Sequence, residues 1–407
     1  MRALKRSAAA PELLCAPGNP GIAADARLLA VAVDDIAGLA GAAEAEQVDL
    51  VVVGPEVPLV AGLADEVAAR GITVFGPSAA AARLEGSKEF AKEVMQAAGV
   101  PTAAWTAVDG VEAGIAAIAS YPVVLKFDGL AAGKGVVIAA DEDEARATLV
   151  AFLEQRVFGA GRVIVEECLV GEELSLLALC DGVRALPMAP AQDYKRIFDG
   201  DEGPNTGGMG SYSPVPGVGP ERVAEICALA HQPVVDLLAE RGTPFHGVLY
   251  AGIMLTAEGP MVLEYNVRFG DPETQAVLPR LRSDAYELLA AASRRGGLEG
   301  LALEFADDWA VTLVLASAGY PAKPSVGDEI RGLDGVPDGI EITHAGTRRR
   351  DDGAIVTAGG RVLNVTGLGM TAASARDAAY AAAQRIDFPG RQLRSDIALR
   401  AVERTSE

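Results

Sequence analysis

Residues 264 to 275, Glu-Tyr-Asn-Val-Arg-Phe-Gly-Asp-Pro-Glu-Thr-Gln, can be housed in few ways. They follow an apolar run, Met261-Val262-Leu263, which reads as the start of a strand. Strand side chains alternate between faces. Leu263, Tyr265 and Val267 would then face a core, while Glu264, Asn266 and Arg268 would share the other side. A carboxylate, an amide and a guanidinium on one face cannot line a core, because burying them unpaired is costly. They suit a hard cation carrying phosphate, with oxygen ligands for Mg²⁺ and a fork-shaped donor for phosphate oxygens. A half-exposed strand with surface ion pairs is the plainer alternative.

The chain has 407 residues, enough for two or three domains. Half of them are apolar but only 5% aromatic, so Ala, Val and Leu must fill the cores. A formal charge of −21 argues against electrostatic binding to nucleic acid or an anionic membrane. It leaves room for a small anion in a local basic pocket. Cys15, Cys168, Cys180 and Cys227 form no Cys-x-x-Cys pair, which fits reduced thiols in a cytoplasmic protein. His231, His246 and His344 are scattered and give no metal-ligand spacing. No apolar run reaches membrane-spanning length, and no signal-peptide core opens the chain.

Residues 12 to 76 alternate apolar runs (13–16, 28–33, 50–53, 73–75) with helical stretches (35–46, 59–70), a βα pattern that predicts a parallel sheet. Gly54-Pro55-Glu56 and Gly76-Pro77-Ser78 follow strand ends, where open α/β sheets bind ligands. A helix from Ser87 to Ala98 is stopped by Gly99 with Pro101 beyond. Strands at 123–126 and 136–139 flank a tight glycine loop, Asp128 to Gly135, making an antiparallel hairpin. Further strands are expected at 162–167, 174–179, 247–255 and 261–267, with a helix over 220–241. Residues 199 to 219 are rich in Gly and Pro without periodicity and read as a long loop. After Gly296-Gly297, strands near 310–316, 339–345 and 361–368 and a helix at 372–385 predict a separate small α+β domain.

The loop at 128–135 is not a Walker motif. Only three residues separate Gly129 from Gly133, and Gly135 replaces the Ser/Thr that would hold Mg²⁺. A glycine hairpin tip carrying Lys134 can still lay backbone N–H groups on phosphates, as a lid. Lys88 and Lys126 sit near that lid and can each meet phosphate as a point charge. Glu166-Glu167-Cys168-Leu169 ends a strand and Gly171-Glu172-Glu173 follows, a place for an adenine hinge and a ribose carboxylate; an acidic turn is the plainer reading. Gln192 to Arg196 and Gly203 to Gly210 mix basic side chains with permissive glycines, suiting close approach to a small anion; a linker is the alternative. Gly367-x-Gly369-x-x-Ala372 looks like a dinucleotide fingerprint, but too little chain follows it, so a plain strand-to-helix turn is expected.

Together these residues resemble the phosphoribosylamine–glycine ligase (glycinamide ribonucleotide synthetase) family of the ATP-grasp superfamily. The matching stretches are Leu84 to Lys88, Lys126 with Asp128 to Gly135, Gln192 to Arg196, Gly203 to Pro214 and Glu264 to Gln275, with His344 to Thr347 and Gly359 to Leu363 near the end. The resemblance implies a multidomain α/β and α+β fold: an N-terminal parallel-sheet domain over 1–86, an ATP-grasp domain over 87–299 with a lid subdomain at about 104–175, and a C-terminal α+β domain over 300–407. It implies ATP and Mg²⁺ (or Mn²⁺), with glycine and 5-phosphoribosylamine as substrates, in a cytoplasmic monomer. Glu264 and Asn266 would hold the metal. Lys88 and Lys126 would contact ATP phosphates beneath a lid that includes Asp128, Gly129, Gly133, Lys134 and Gly135. Glu166, Glu167 and Leu169 would meet adenine and Glu173 the ribose, while Arg268, Asp271 and Asn205 would position the acyl phosphate and substrates.

Two departures from the family pattern stand out. Phe127 occupies a place beside the lid that is usually small, and its side chain is expected to pack into a core. The chain also begins at Met1-Arg2-Ala3-Leu4-Lys5, where the family's first strand and Gly-Gly-Arg-Glu-His loop would already have passed. The resemblance therefore implies an N-terminal domain lacking its first strand, from either a misassigned start or a real truncation; the former is favoured because the downstream motifs are complete. Rival readings are another ATP-grasp ligase or carboxylase, a non-catalytic nucleotide-binding protein, and a scaffolding partner.

Overall fold

The computed structural model describes residues 1–131, 134–337 and 339–405. Gly133 of the glycine loop lies outside them. The first 85 residues keep the expected βα alternation, but their four short strands pair two by two. Leu14–Cys15 runs parallel to Arg27–Leu28, and Leu50–Val52 runs parallel to Thr73–Phe75. The helix expected over 59–70 is two pieces, Glu56–Val60 and Leu63–Ala69. Gly62 between them takes a left-handed φ of 89°, a conformation that a continuing helix cannot use.

Helix Lys88–Ala98 is specified locally at both ends. The Ser87 side chain accepts from the Phe90 N–H, and Gly99 closes it in the left-handed region. Two four-stranded antiparallel sheets follow. One is ordered Trp105–Val108, Val163–Glu167, Val123–Phe127, Val136–Ala139, with the last two forming the glycine-tipped hairpin. The other is ordered Ala185–Pro187, Glu172–Asp181, His246–Thr256, Gly259–Asn266. Phe127 is buried against Phe152 and Phe158, so it belongs to the core of the first sheet as expected.

Strict alternation fails at one place on the last strand. Gly252 pairs with Glu264 and Ile253 with Val262, leaving Leu263 as the extra residue of a β-bulge. Val262, Tyr265 and Val267 are buried, whereas Leu263 is only half-buried and borders the cavity described below. The expectation that Leu263 faces a core is therefore corrected.

The segment 199–219 is not one long loop. Glu202–Asn205 pairs with Arg196–Phe198, and Gly210–Ser213 pairs with Trp309–Ala316. A Cβ on Gly210 would lie 2.7 Å from the Thr312 carbonyl oxygen, so a glycine there permits the approach. The resulting five-stranded sheet runs Gln192–Asp193, Gly210–Ser213, Trp309–Ala316, Arg361–Gly369, Glu341–His344. The sheet of the last hundred residues thus borrows two strands from the middle of the chain. The helix expected over 220–241 divides into Pro220–Ala230 and Gln232–Glu240 around buried His231, where Pro233 in the first turn cannot donate back to the preceding helix. Gly367 to Ala372 is the plain turn expected, with Thr371 and Ser374 capping helix Ala372–Ala383 reciprocally. Among the described residues no helix is long and apolar enough to cross a membrane.

Candidate active site

A cavity of about 930 Å³ opens between the two four-stranded sheets and is closed on one side by the five-stranded sheet's loops. Glu264 lines it. Burial pushes this carboxyl up, but Lys195, Lys126, Lys88 and Arg268 outweigh burial and hold it below the usual carboxylate range. Lys88, in the first turn of its helix, donates to the Gly129 carbonyl at 3.0 Å, so it meets the base of the glycine loop. Burial draws its ammonium down, against the pull of Glu264. Lys126 donates to the Leu263 carbonyl and to Glu166 Oε2, both at 3.0 Å. The bulge at Leu263 and the hairpin are therefore tied at the point where the two sheets meet.

Arg268 is held between carboxylates. Its Nη2 lies 3.4 Å from Glu85 Oε1 and donates to Asn266 Oδ1 at 3.2 Å, while Nε lies 3.5 Å from Glu56 Oε2. Burial opposes its charge, but Glu85, Glu56 and Glu273 raise its pKa above the ordinary value. Burial lifts Glu85 to about 7, although Arg268 and the Val267 N–H, donating at 2.8 Å, both favour its ionised form.

Asp271 and the Asn205–Gly208 rim are fixed by Arg361 and Tyr320. Arg361 donates to the Asp271 carbonyl at 2.8 Å and to its Oδ2 at 3.0 Å, and also to the Gly207 carbonyl. The Gly207 N–H donates to Tyr320 Oη at 3.0 Å. Gly208 has φ 108°, and a Cβ there would lie 2.5 Å from Pro272 Cδ. Beneath this rim is a polar cluster. Lys195 Nζ lies 2.9 Å from Asp193 Oδ2 and 3.6 Å from Glu173 Oε2. Tyr250 donates to Glu273 Oε1 at 2.7 Å and is 2.9 Å from Ser175 Oγ. Burial opposes the Lys195 charge, but Asp193, Tyr250, Glu173 and Glu273 hold its pKa well above the ordinary value. Burial raises Glu173 and Glu273.

Most residues singled out in the sequence meet at this cavity. Glu264, Asn266, Arg268, Lys88, Lys126, Gly129, Gly135, Glu166, Glu167, Leu169, Glu173, Asn205 and Asp271 all line it. Two others do not line it. Asp128 accepts from Ser87 Oγ at 3.3 Å and from the Glu89 N–H at 3.2 Å, pinning the loop to the helix N-terminus. Lys134 is exposed and stands outside the wall. Glu166 is buried with Oε2 facing lysines, and its Oε1 has no hydrogen-bond partner among the described residues. Sequence reasoning missed Lys92 and Tyr250, gave Lys195 only a share in an anion-binding loop, and gave no individual role to Glu273 or Arg361. Lys92 carried a signal, since it lies four residues after Lys88 on one helix face. Arg361 sat in the Gly359 to Leu363 stretch and Glu273 in the Glu264 to Gln275 stretch, whereas nothing local marked Tyr250. No group of three or more His, Cys, Asp or Glu among the described residues is placed to hold a metal ion.

Two antiparallel sheets closing on a lysine-bearing cavity, with a glycine hairpin at its edge, define an ATP-grasp protein. Family models for the phosphoribosylglycinamide synthetase N domain, ATP-grasp (A) domain and C domain match residues 1–85, 86–274 and 310–400. The chain belongs to the phosphoribosylglycinamide synthetase family. It is 50% identical over 398 residues to a phosphoribosylamine–glycine ligase of Brucella melitensis, covering 97% of this chain and 93% of that one. It is 52% identical over 397 residues to one from Streptomyces coelicolor, covering 96% and 93%. The crystal structure of the phosphoribosylamine–glycine ligase of Thermotoga maritima superposes with a TM-score of 0.82 at 33% identity, covering 97% of this chain and 96% of that one. A biotin carboxylase domain from Hydrogenobacter thermophilus, crystallised with MgADP, has a TM-score of 0.72 at 17% identity over 96% of this chain and 88% of that one, a likeness of fold. The N-domain match begins at residue 1, so the missing first strand expected above finds no support in these comparisons.

Proposed function

We propose that the chain is a phosphoribosylamine–glycine ligase, joining glycine to 5-phosphoribosylamine at the expense of ATP in de novo purine biosynthesis. Its relatives of about half identity over nearly their full length carry that name. The observation that carries the chemical reading is the convergence of Lys88, Lys126 and Arg268 on one cavity with an ionised Glu264. In this reading the γ-phosphoryl group of ATP passes to the glycine carboxylate, giving glycyl phosphate and ADP. The amine of phosphoribosylamine then attacks the glycyl carbonyl carbon and phosphate leaves. Such a route asks the protein for position and positive charge rather than for a nucleophile.

The residues divide accordingly. Lys88 and Lys126 meet ATP phosphates beside Gly129 and Gly135, Asp128 holds the loop at its base, and Lys134 belongs to the lid. Oε1 of Glu166, without a partner among the described residues, and the 167–169 backbone suit adenine, whose exocyclic amine donates and whose ring nitrogen accepts. Glu173 suits the ribose hydroxyls. Arg268, Asp271 and Asn205 position the acyl phosphate and the substrates. Glu264 and Asn266 offer two oxygens to Mg²⁺ (or Mn²⁺), enough for an ion that completes its shell with phosphate and water. When bound, that ion neutralises charge on the transferring phosphoryl group.

We assign residues 1–86, 87–299 (lid at about 104–175) and 300–407 to the three domains, in a cytoplasmic monomer. The test is a coupled assay of ADP release with each substrate omitted in turn. ADP release that needs both glycine and phosphoribosylamine is expected. Release at an undiminished rate without phosphoribosylamine would point to another acceptor and sink the reading.

A further inference from the structure

Lys92 stands one helical turn beyond Lys88 and is 2% exposed. Its ammonium lies 2.9 Å from Glu166 Oε2 and donates to Thr102 Oγ1 at 2.7 Å. The same Glu166 oxygen is 3.0 Å from Lys126 Nζ. Thr102 in turn donates to the Val262 carbonyl at 2.6 Å, on the strand that carries Glu264. One buried carboxylate oxygen therefore faces two buried ammonium groups, and one of these borders the hairpin.

A buried carboxylate facing a single lysine would absorb that lysine's charge, since a close pair in a low-dielectric site is nearly neutral to its surroundings. A second lysine changes the balance. With Lys92 opposite Glu166, the cluster keeps one net positive charge at Lys126. We propose that Lys92 is a positioning residue of the ligation reaction: it neutralises Glu166, so that Lys126 is left to bind the nucleotide. Through Thr102 it also joins this cluster to the Glu264 strand. The inference rests on the reading of Lys126 as a nucleotide contact given above.

The charged groups facing Lys92 are Glu166 on Val163–Glu167, Lys126 on Val123–Phe127 and Glu264 on Gly259–Asn266. On the helices packed beside it, Asp236 and Glu240 are exposed, Arg83 stacks on Phe90, and Glu85 pairs with Arg268. Burial first, then Lys126, draw Lys92 down to about 8, against the pull of Glu166 and Glu264. Above that pH the Lys92 charge fades and Lys126 is left to pair with Glu166.

Three variants test this, read by the affinity for adenylyl imidodiphosphate from calorimetry and by kcat and KM for ATP. Lys92→Met should weaken analogue binding by at least about tenfold and raise KM more than it lowers kcat. The double variant Lys92→Met/Glu166→Gln removes the charge that Lys92 balances while glutamine keeps an acceptor oxygen for adenine, so it should bind the analogue more tightly than Lys92→Met, which a purely structural lysine would not allow. Lys92→Arg stays charged, so the rise in KM for ATP above about pH 8 in the wild type should disappear. A double variant no better than Lys92→Met, or an alkaline rise unchanged in Lys92→Arg, overturns the proposal. If Lys92→Met does not fold by circular dichroism, the Lys92→Arg profile alone decides. Lys126→Met runs in parallel. If it leaves analogue affinity intact, the nucleotide reading itself fails; if it weakens binding while Lys92→Met does not, only this inference falls.

Discussion

Glu85 couples the stability of the protein to pH at the edge of its active site, and Glu85→Gln isolates that coupling. The carboxyl is largely out of water, 9% exposed, and faces Arg268 and the Val267 N–H. Burial dominates both partners and moves its pKa from 4.5 to about 7. A difference of that size corresponds to about 3 kcal/mol, at about 1.4 kcal/mol per pH unit. Because the folded pKa lies above the unfolded one, this stability is fully present below 4.5 and is lost as pH rises through about 7. Glutamine keeps the shape and one acceptor but cannot ionise. Equilibrium urea unfolding of both proteins, followed by circular dichroism between about pH 4.5 and pH 8, gives their difference in stability at each pH. Titrations common to both cancel in that difference. Relative to Glu85→Gln, the wild type should lose about 3 kcal/mol across this window, most of it below pH 7. A difference that stays flat within about 0.5 kcal/mol would mean that Arg268 and the amide compensate burial completely, and the electrostatic reasoning would be wrong.

Lys126→Met should lower kcat/KM for ATP by about a hundredfold or more, because it removes a buried charge proposed to contact the nucleotide; the ADP-release assay measures it, and near-normal turnover would exclude Lys126 from the site. Gly208→Ala places a Cβ 2.5 Å from Pro272 Cδ at a φ of 108°, so it should cost about 1–3 kcal/mol and raise KM for phosphoribosylamine; thermal melting and steady-state kinetics separate the two effects. Salt gives a test that needs no mutation. The chain carries −21 while the cations proposed to meet ATP line the cavity. Moderate salt should therefore screen the long-range repulsion more than the local attraction, so KM for ATP should stay level or fall between about 0.05 and 0.2 M KCl. A steep rise would show that exposed cations dominate binding.

Features of this protein that are specified within a few residues could be read from the sequence. The helix at Lys88 carries its own start at Ser87 and its own stop at Gly99, and the glycine hairpin carries its turn between two apolar runs. Glu264, Asn266 and Arg268 could be grouped because alternation survives beyond Glu264. It fails one residue earlier. A bulge is a mismatch between two strands, and the residues that oppose Leu263 lie on His246–Thr256, so nothing in Met261-Val262-Leu263 announces it. The strand in Gly210–Ser213 was hidden for a related reason. Its partner, Trp309–Ala316, lies far along the chain, and glycine and serine give it no apolar period of its own. The same distinction separates the legible charges from the illegible ones. Lys88 and Lys126 stand beside a glycine loop and declare themselves by that company. Lys92 is meaningful only through Glu166 and Thr102, which other elements bring to it. Tyr250 and Glu273 likewise acquire a role only when two strands and a helix converge. A motif records where a ligand must be approached by the backbone, whereas the balance of charge around it is set by long-range packing. That balance decides which lysine is free to act, and it follows from the fold rather than from the motif.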